Sequence, residues 1–502
     1  MDNLASLMQG FADLATLEVL LWSVVGVLLG TLIGALPGLG PVAGIAVLLP
    51  LSFTLETVPA LVLLMAIYQG AMYGGRISSI LINVPGEPSA VVTTFDGYPM
   101  TRQGRAGYAL SLSAIASFVG GMIGFAGLIF LMPYLTALGL KFGPPEMFAL
   151  MLFALVSTGG FGQDNMLKGL VSLGLGLLVA VVGLDNITGD VRVSYGTFLL
   201  WDGVSFVAIA VGLFGISEAL ALLKERSRPE EKLPDIKLRE LIPGRRDLAN
   251  NTGSILRGSI IGYVVGVLPG AGATIATFMS YSVEKKLSKT PEKFGNGADQ
   301  GLSAPEAANN ASVGGSLVPL FTLGIPSGAV TAVLLGALIT VGLQPGPRMM
   351  QTSGDIIWAT IASLFLANAM LLVFNTAFVP AFTMLIRWCQ PYLISFITVL
   401  CVIGVYFDNF QFFDVGVMLG FGILGYFMRI YNYPLAPLIL AVVLGPLLET
   451  NLRQSLLLSA NSVDIFYTRP ITVTLLALTV LVLVLPLLRM AWRSARRAPG
   501  LG

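Results

Sequence analysis

Apolar runs of roughly helical-span length dominate the chain, separated by short polar stretches and interrupted by glycine and proline. A spanning helix needs about 20 apolar residues, fewer when it is buried among other helices. On that rule the pattern predicts segments at 17–36, 41–53, 57–82, 108–132, 146–158, 168–185 and 199–224. After a polar stretch it predicts further segments at 255–268, 272–283, 301–340, 355–386, 391–406, 411–428, 434–447 and 470–489. The expected fold is an all-α polytopic membrane protein. Its expected parts are a first membrane repeat at 17–223, a cytoplasmic linker at 224–254, a second repeat at 255–448, and an extra helix with a basic tail at 449–502. Met1–Thr16 lacks a basic start and carries Asp2 and Asp13, so the first apolar segment reads as a retained helix rather than a cleaved signal.

Composition agrees with this solvent. The 502 residues are 55% hydrophobic and 11% charged, where a soluble domain has about a quarter of its residues charged. A net charge of +1 gives no electrostatic footing for nucleic acid, and none is expected as a partner. The chain has no histidine and two isolated cysteines, Cys389 and Cys401. That removes the usual general base and metal ligand, so an enzyme is not expected and no cofactor is expected beyond a coupling ion.

Basic residues set the orientation. They gather at 224–246, at Lys285, Lys286, Lys289 and Lys293, at Arg489, Arg493, Arg496 and Arg497, and at Arg102 and Arg105. Alternating the segments from an outside N-terminus puts all four groups, and the C-terminus, in the cytoplasm.

Two interruptions resemble each other. Gly34-Ala-Leu-Pro-Gly-Leu-Gly-Pro41 and Gly266-Val-Leu-Pro-Gly-Ala-Gly-Ala273 align at one offset, together with Gly26 and Gly30 over Gly258 and Gly262. Further on, Tyr73-Gly-Gly-Arg76 lies over Val313-Gly-Gly-Ser316, and Asn83-Val-Pro-Gly86 over Gly324-Ile-Pro-Ser327. The ordered set points to a duplication. About seven segments separate the halves, and an odd number inserts them with opposite orientation, the plan of many secondary transporters. Parallel duplication would need an even count. In either case the Pro-Gly breaks at 34–41 and 266–273, and the hairpin tips at 83–89 and 322–328, are four broken elements. A broken helix survives in lipid only when buried or lining a site, and a helix that restarts offers free N–H groups to an anion. Gly26, Gly30, Gly258 and Gly262 read instead as close-packing positions.

Polar side chains inside apolar segments are the remaining candidates. For an anion these are Arg76, Ser79, Asn83, Ser89, Thr274 and Ser327, with the backbone at Gly38, Gly40, Pro85, Gly86, Gly270, Gly272 and Pro326. Arg76 suits a carboxylate, or it pairs structurally with Glu87 or another acid. Asn309, Asn310 and Ser312 offer oxygens to sodium, or they bond between helices. Glu306 carries a coupling proton or caps a helix. Asp96-Gly-Tyr-Pro99 reads as a cytoplasmic turn with a structural role.

The stretches GALPGLGP, YGGRISSILINVPGEPSAVVTTFDGYPMTRQGRAGYAL and GVLPGAGATIATFMSY, and the run from Ala304 through Asn309-Asn310 to Ser327, carry a family resemblance. In order and over nearly the whole chain, they resemble the large membrane subunit of tripartite tricarboxylate transporters, the TctA family. The resemblance implies a bacterial inner-membrane protein working with a small membrane subunit and a periplasmic solute-binding protein. It implies uptake of a carboxylate, citrate among those served, driven by a sodium or proton gradient. At Arg76 the chain departs from the family, whose members often carry a small residue after Tyr-Gly-Gly. Arg76 is therefore a candidate specific to this chain's solute. By analogy with other binding-protein-dependent secondary transporters, the broken elements are expected to move as one block, an elevator. An uncoupled channel or uniporter is the competing expectation. A homo-oligomer is compatible with the unpaired last helix.

Overall fold

A chain this apolar has to satisfy its peptide groups internally, and the computed structural model is accordingly a helical bundle. It describes residues 3–36, 39–160, 166–185, 187–225, 243–378 and 392–497, with Met384 and Trp388. Among them the strands are one short pair, Gly183–Leu184 against Val191–Arg192. The first half holds α1 (Asn3–Asp13), α2 (Leu17–Ala35), α3 (Gly40–Ser52), α4 (Thr57–Ile82) and α5 (Val91–Arg102). It continues with α6 (Ala106–Gly139), α7 (Pro144–Gly160), α8 (Met166–Ala180) and α9 (Phe206–Lys224). The second half opens with α10 (Arg245–Val267), α11 (Gly272–Leu287), α12 (Asp299–Leu323), α13 (Ala329–Thr340) and α14 (Gly354–Ala377). It closes with α15 (Leu393–Asn409), α16 (Phe412–Ile430), α17 (Ala436–Leu458) and α18 (Pro470–Arg497).

Among the described residues seven of these helices are long and apolar enough to cross a membrane. The breaks fall where the glycines and prolines stand. α2 ends at Ala35 and α3 begins at Gly40; α10 ends at Val267 and α11 begins at Gly272. The 301–340 run divides into α12 and α13 at Gly324–Gly328. Other bounds differ from the pattern. Residues 199–205, expected in a segment, precede α9, because Gly196, Asp202 and Gly203 stop the helix there. α10 starts at Arg245, inside the stretch placed in the linker. Residues 226–242 of that linker, with the proline positions 380 and 391, lie outside the described residues.

α4 and α12 are the inner helices. Both are buried over nearly their whole length. α12 reads DQGLSAPEAANNASVGGSLVPLFTL, too polar for lipid contact, and it is wrapped by α6, α10 and α11. A polar helix buried in this way is the expected lining of an interior site.

Glycine lets the inner helices be approached this closely. α2 packs on α4, and α10 on α12, through matched positions. A Cβ added at Gly30 would lie 2.5 Å from the Ile67 carbonyl oxygen, and one at Gly34 2.1 Å from that of Ala71. Their counterparts Gly262 and Gly266 meet the Ala308 and Ser312 carbonyls at 2.2 and 2.6 Å. The reciprocal contacts match too, Gly74 against the Thr31 carbonyl and Gly315 against that of Tyr263. The sequence duplication is therefore a duplication of helix packing, with each glycine and its partner at the same register in both halves.

Asp96 sits inside α5, not in a turn. Its Oδ1 accepts the backbone N–H groups of Gly295, Gly297 and Ala298 at 2.9, 2.8 and 2.7 Å. That bond set overrides the turn chemistry of Asp-Gly-Tyr-Pro and fastens α5 to the start of α12. Arg105 and Tyr108 add bonds to Asp299 nearby. At the opposite side of the chain's first half, the stretch between α8 and α9 is held to α17 by Asp185, Arg192, Glu449 and Arg453.

Replacing Gly34 or Gly262 by leucine should destabilise the fold by about 3 kcal/mol or more, since the facing atoms are backbone and cannot yield. Gly174, with open space around it, should accept alanine without loss. Thermal unfolding of the detergent-solubilised variants, followed by size-exclusion chromatography, measures both.

Candidate functional site

The two inner helices end alike. α4 ends in Asn83 at φ 58°, and α12 in Gly324 at φ 69°, both left-handed. The next residue then reaches back six positions, Val84 N–H to the Ser78 carbonyl and Ile325 N–H to that of Pro319. This is the cap that lets a helix stop without orphaned carbonyls. Beyond it the first tip runs through Pro85 and Gly86 to a short turn at Pro88–Ala90. Gly86 N–H donates to the Gly75 carbonyl at 3.4 Å, and a Cβ on Gly86 would lie 2.0 Å from the Gly34 carbonyl oxygen. Ser79 Oγ donates to the carbonyls of Gly75 and Ala90. In the second tip Pro326 and Ser327 are buried, and the Ser327 carbonyl accepts the Gly270 N–H at 2.9 Å.

Each breaker therefore meets the tip of its own half. Gly40, at φ +51°, faces Gly86 and Glu87. Gly270, at φ +79°, bonds to the second tip and lies against the Ser157 carbonyl. The contacts also cross between halves, with α11 packing on the Pro88–Ala90 turn and α3 on α13. All four broken elements are brought together. α3 and α11 both begin without a side-chain cap, behind Leu39 and Ala271. First-turn N–H groups without a side-chain cap suit an anion, although Pro41 removes one of them from α3. Gly272, at φ +61°, borders open space, and Thr274 is half-buried one turn into α11. Gly38 lies outside the described residues.

The charged groups gather at the same level. Glu87 is buried at the first tip, and its Oε1 accepts Ser89 Oγ at 2.6 Å and Asn309 Nδ2 at 3.1 Å. Glu306, on α12, is held by the hydroxyls of Thr93 and Ser117. Arg76, fully buried in α4, turns toward α6, donating from Nε to the Tyr73 carbonyl and from Nη1 to the Leu110 carbonyl and Ser113 Oγ. It interacts electrostatically with Glu306 but forms no ion pair within 4 Å among the described residues. Its Nη2 has no hydrogen-bond partner, nor has Asn309 Oδ1. Asn310 Nδ2 and Ser312 Oγ bond to carbonyls of their own helix, those of Glu306 and Asn309.

Two further buried polar features are not settled by the sequence pattern. Gln69 is buried on α4 with neither amide atom bonded. The signal was present as one amide in an otherwise apolar run. Tyr68 and Ser316 link their hydroxyls at 3.3 Å, a contact between halves that no local pattern reveals. A buried amide left without partners costs about 1–3 kcal/mol, so groups of this kind in an interior site are suited to meeting a polar ligand.

Comparison with known proteins adds the identity. A relative from Agrobacterium vitis, "Uncharacterized 52.8 kDa protein in TAR-I ttuC' 3'region", is 42% identical over 97% of both chains. A second from the same organism, "Uncharacterized protein in TAR-II ttuC' 3'region", is 40% identical, covering 45% of this chain and 94% of its own length. No solved structure matches. The profile of the tripartite tricarboxylate transporter TctA family matches residues 20–440, a range that holds the helix breaks and both polar inner helices, and the chain belongs to this family of membrane transporters.

Proposed function

We propose that this protein carries out secondary active uptake of a carboxylate across the bacterial inner membrane. The solute is delivered by a periplasmic solute-binding protein, a small membrane subunit completes the complex, and a sodium or proton gradient drives the step. The observation that carries this reading is the convergence of two helix starts without side-chain caps, at Gly40 and Gly272, with two hairpin tips. Partial positive charge at both starts suits an anion with more than one carboxylate. The solute is a tricarboxylate or a related smaller acid, held by backbone N–H groups with Ser89, Thr274 and Ser327 close by.

The halves are read as inverted repeats, with the N-terminus periplasmic and the C-terminus cytoplasmic. The four basic groups of the sequence support this orientation. The hairpins and broken helices move as one block, exposing the site to each side in turn. The Asp96 bonds from α5 to the start of α12, and the Tyr68–Ser316 link, support a block that moves as a unit.

Reconstitution with both partners in proteoliposomes tests the reading. Labelled citrate, followed by a panel of other carboxylates, should accumulate against its gradient when sodium or protons are supplied from outside. Equilibration that ignores both gradients would instead identify a uniporter. A crosslink that ties the block to the surrounding helices should abolish uptake, and unimpaired uptake would contradict the moving block.

Gly272→Ala should leave the protein folded at a loss of about 1–2 kcal/mol from the left-handed backbone. It should raise the KM for uptake about tenfold, because the added methyl keeps the anion off the helix start. Uptake kinetics and thermal unfolding of the same preparation measure the two effects separately.

A further inference from the structure

Near the first hairpin tip the buried charges do not balance. Arg76 on α4 and Glu306 on α12 interact with opposite sign, and Glu306 has both carboxylate oxygens engaged, one by Thr93 and one by Ser117. Glu87 is left over. It is 5% exposed, at the first hairpin tip, with hydrogen bonds from Ser89 and Asn309 and, among the described residues, no ion-pair partner. The groups that act on it are Glu306, which repels it, and the Tyr68 phenol of α4. α3 and the first three turns of α11, which border the tip, contribute no charged side chain. A buried carboxylate without a counter-charge is expensive and takes up a cation or a proton.

Asn309 supplies an independent observation. The residue is 1% exposed, its Nδ2 is bonded to Glu87 Oε1, and its Oδ1 has no partner. An amide that donates to a carboxylate through the N–H on the same side as its own oxygen turns that oxygen toward the second carboxylate oxygen. Two occupants satisfy that oxygen. A proton on Glu87 Oε2 would donate to Asn309 Oδ1 and close a ring of two hydrogen bonds. A sodium ion would be held between the carboxylate and Oδ1, as a hard cation is. Asn310 and Ser312 direct their polar atoms to carbonyls of their own helix instead.

We infer that Glu87 and Asn309 form a site for one monovalent positive charge, a sodium ion or a proton, and that this charge is the one coupled to uptake. The coupling clause rests on the transport reading above; the binding clause does not. Glu87 Cβ is the nearest atom to a Cβ built on Gly40, at 3.6 Å, so the site adjoins the start of α3. An ionised Glu87 repels an anion there and a neutralised one does not. Cation and carboxylate then favour each other's binding. When the cation leaves on the cytoplasmic side, the restored negative charge expels the anion. The residues also separate roles: Glu306, with Thr93 and Ser117 on its two oxygens, holds α12 to α5 and α6, while Glu87 changes charge during the cycle.

The test uses the purified full-length chain without a carboxylate. Binding of 22Na+ is measured by scintillation proximity, and carboxyl protonation by infrared titration in sodium-free buffer. Wild type should show either saturable sodium binding or, in difference spectra against Glu87→Gln, the titrating carboxyl band of one residue. Glu87→Gln should lose whichever signal is present, and Asn309→Ala should weaken it at least tenfold. Exposed Glu56→Gln should retain it. The signal that disappears tells sodium from proton. Should Glu87→Gln fail size-exclusion chromatography, Asn309→Ala, which keeps the carboxylate, and Glu87→Asp decide, each by the same tenfold criterion. Undiminished signals in the variants, or neither signal in wild type, overturn the inference. Gradient-driven uptake alongside such a result would leave the transport reading standing without this site.

Discussion

A peptide chain that leaves its helix inside a membrane has to find partners for its backbone within the protein, and this structure is arranged around that constraint. The hairpin tips meet it by ending α4 and α12 in left-handed caps and by pressing backbone on backbone. Gly86 can bond to Gly75 only because neither residue has a side chain, and because Gly34 leaves its carbonyl 2.0 Å from where a Cβ of Gly86 would stand. The glycines of α2 and α10 follow from the same requirement. They draw the outer helices onto α4 and α12 closely enough to close the interior around the breaks. Among the described residues the starts of α3 and α11 have no side-chain cap, and several buried polar side-chain atoms have no partner.

Charge follows from burial. Near the first tip Arg76, Glu306 and Glu87 are buried where charges are screened poorly, so their arrangement decides what else has to enter. Arg76 is oriented by α6 and interacts with Glu306; Glu87 has hydrogen bonds from Ser89 and Asn309 but, among the described residues, no ion-pair partner. The helix starts attract an anion, and the surplus carboxylate resists it until neutralised. Opposed demands placed a few ångströms apart are a physical basis for coupling two solutes, since each ligand removes the obstacle to the other.

The parts legible in the sequence were those with local causes. The 57–82 run has no break and became α4 with those bounds, and the paired Pro-Gly stretches marked the breaks because few other residues stop a helix in lipid. The stripes at Gly26, Gly30, Gly258 and Gly262 were readable as packing for the same reason. Asp96-Gly-Tyr-Pro99 misled because its turn chemistry is local while the N–H groups that hold Asp96 lie about two hundred residues away. Glu87 entered the sequence reading only as a partner for Arg76. Its bond to Asn309 spans 222 positions, and no spacing within one helix encodes such a contact. Gln69 shows the middle case, visible as an amide among apolar residues yet with nothing local to say which way it faces.

The central claim is that one carboxylate and one positive charge bind as neighbours and depend on each other. Equilibrium binding to the purified protein measures this directly. The affinity for the transported carboxylate is titrated with and without the cation, and the affinity for the cation with and without the carboxylate. The account predicts that each raises the other by the same factor, and that Glu87→Gln holds carboxylate affinity at its high value regardless of cation. Carboxylate binding that is indifferent to sodium and to pH in the wild-type protein would contradict it.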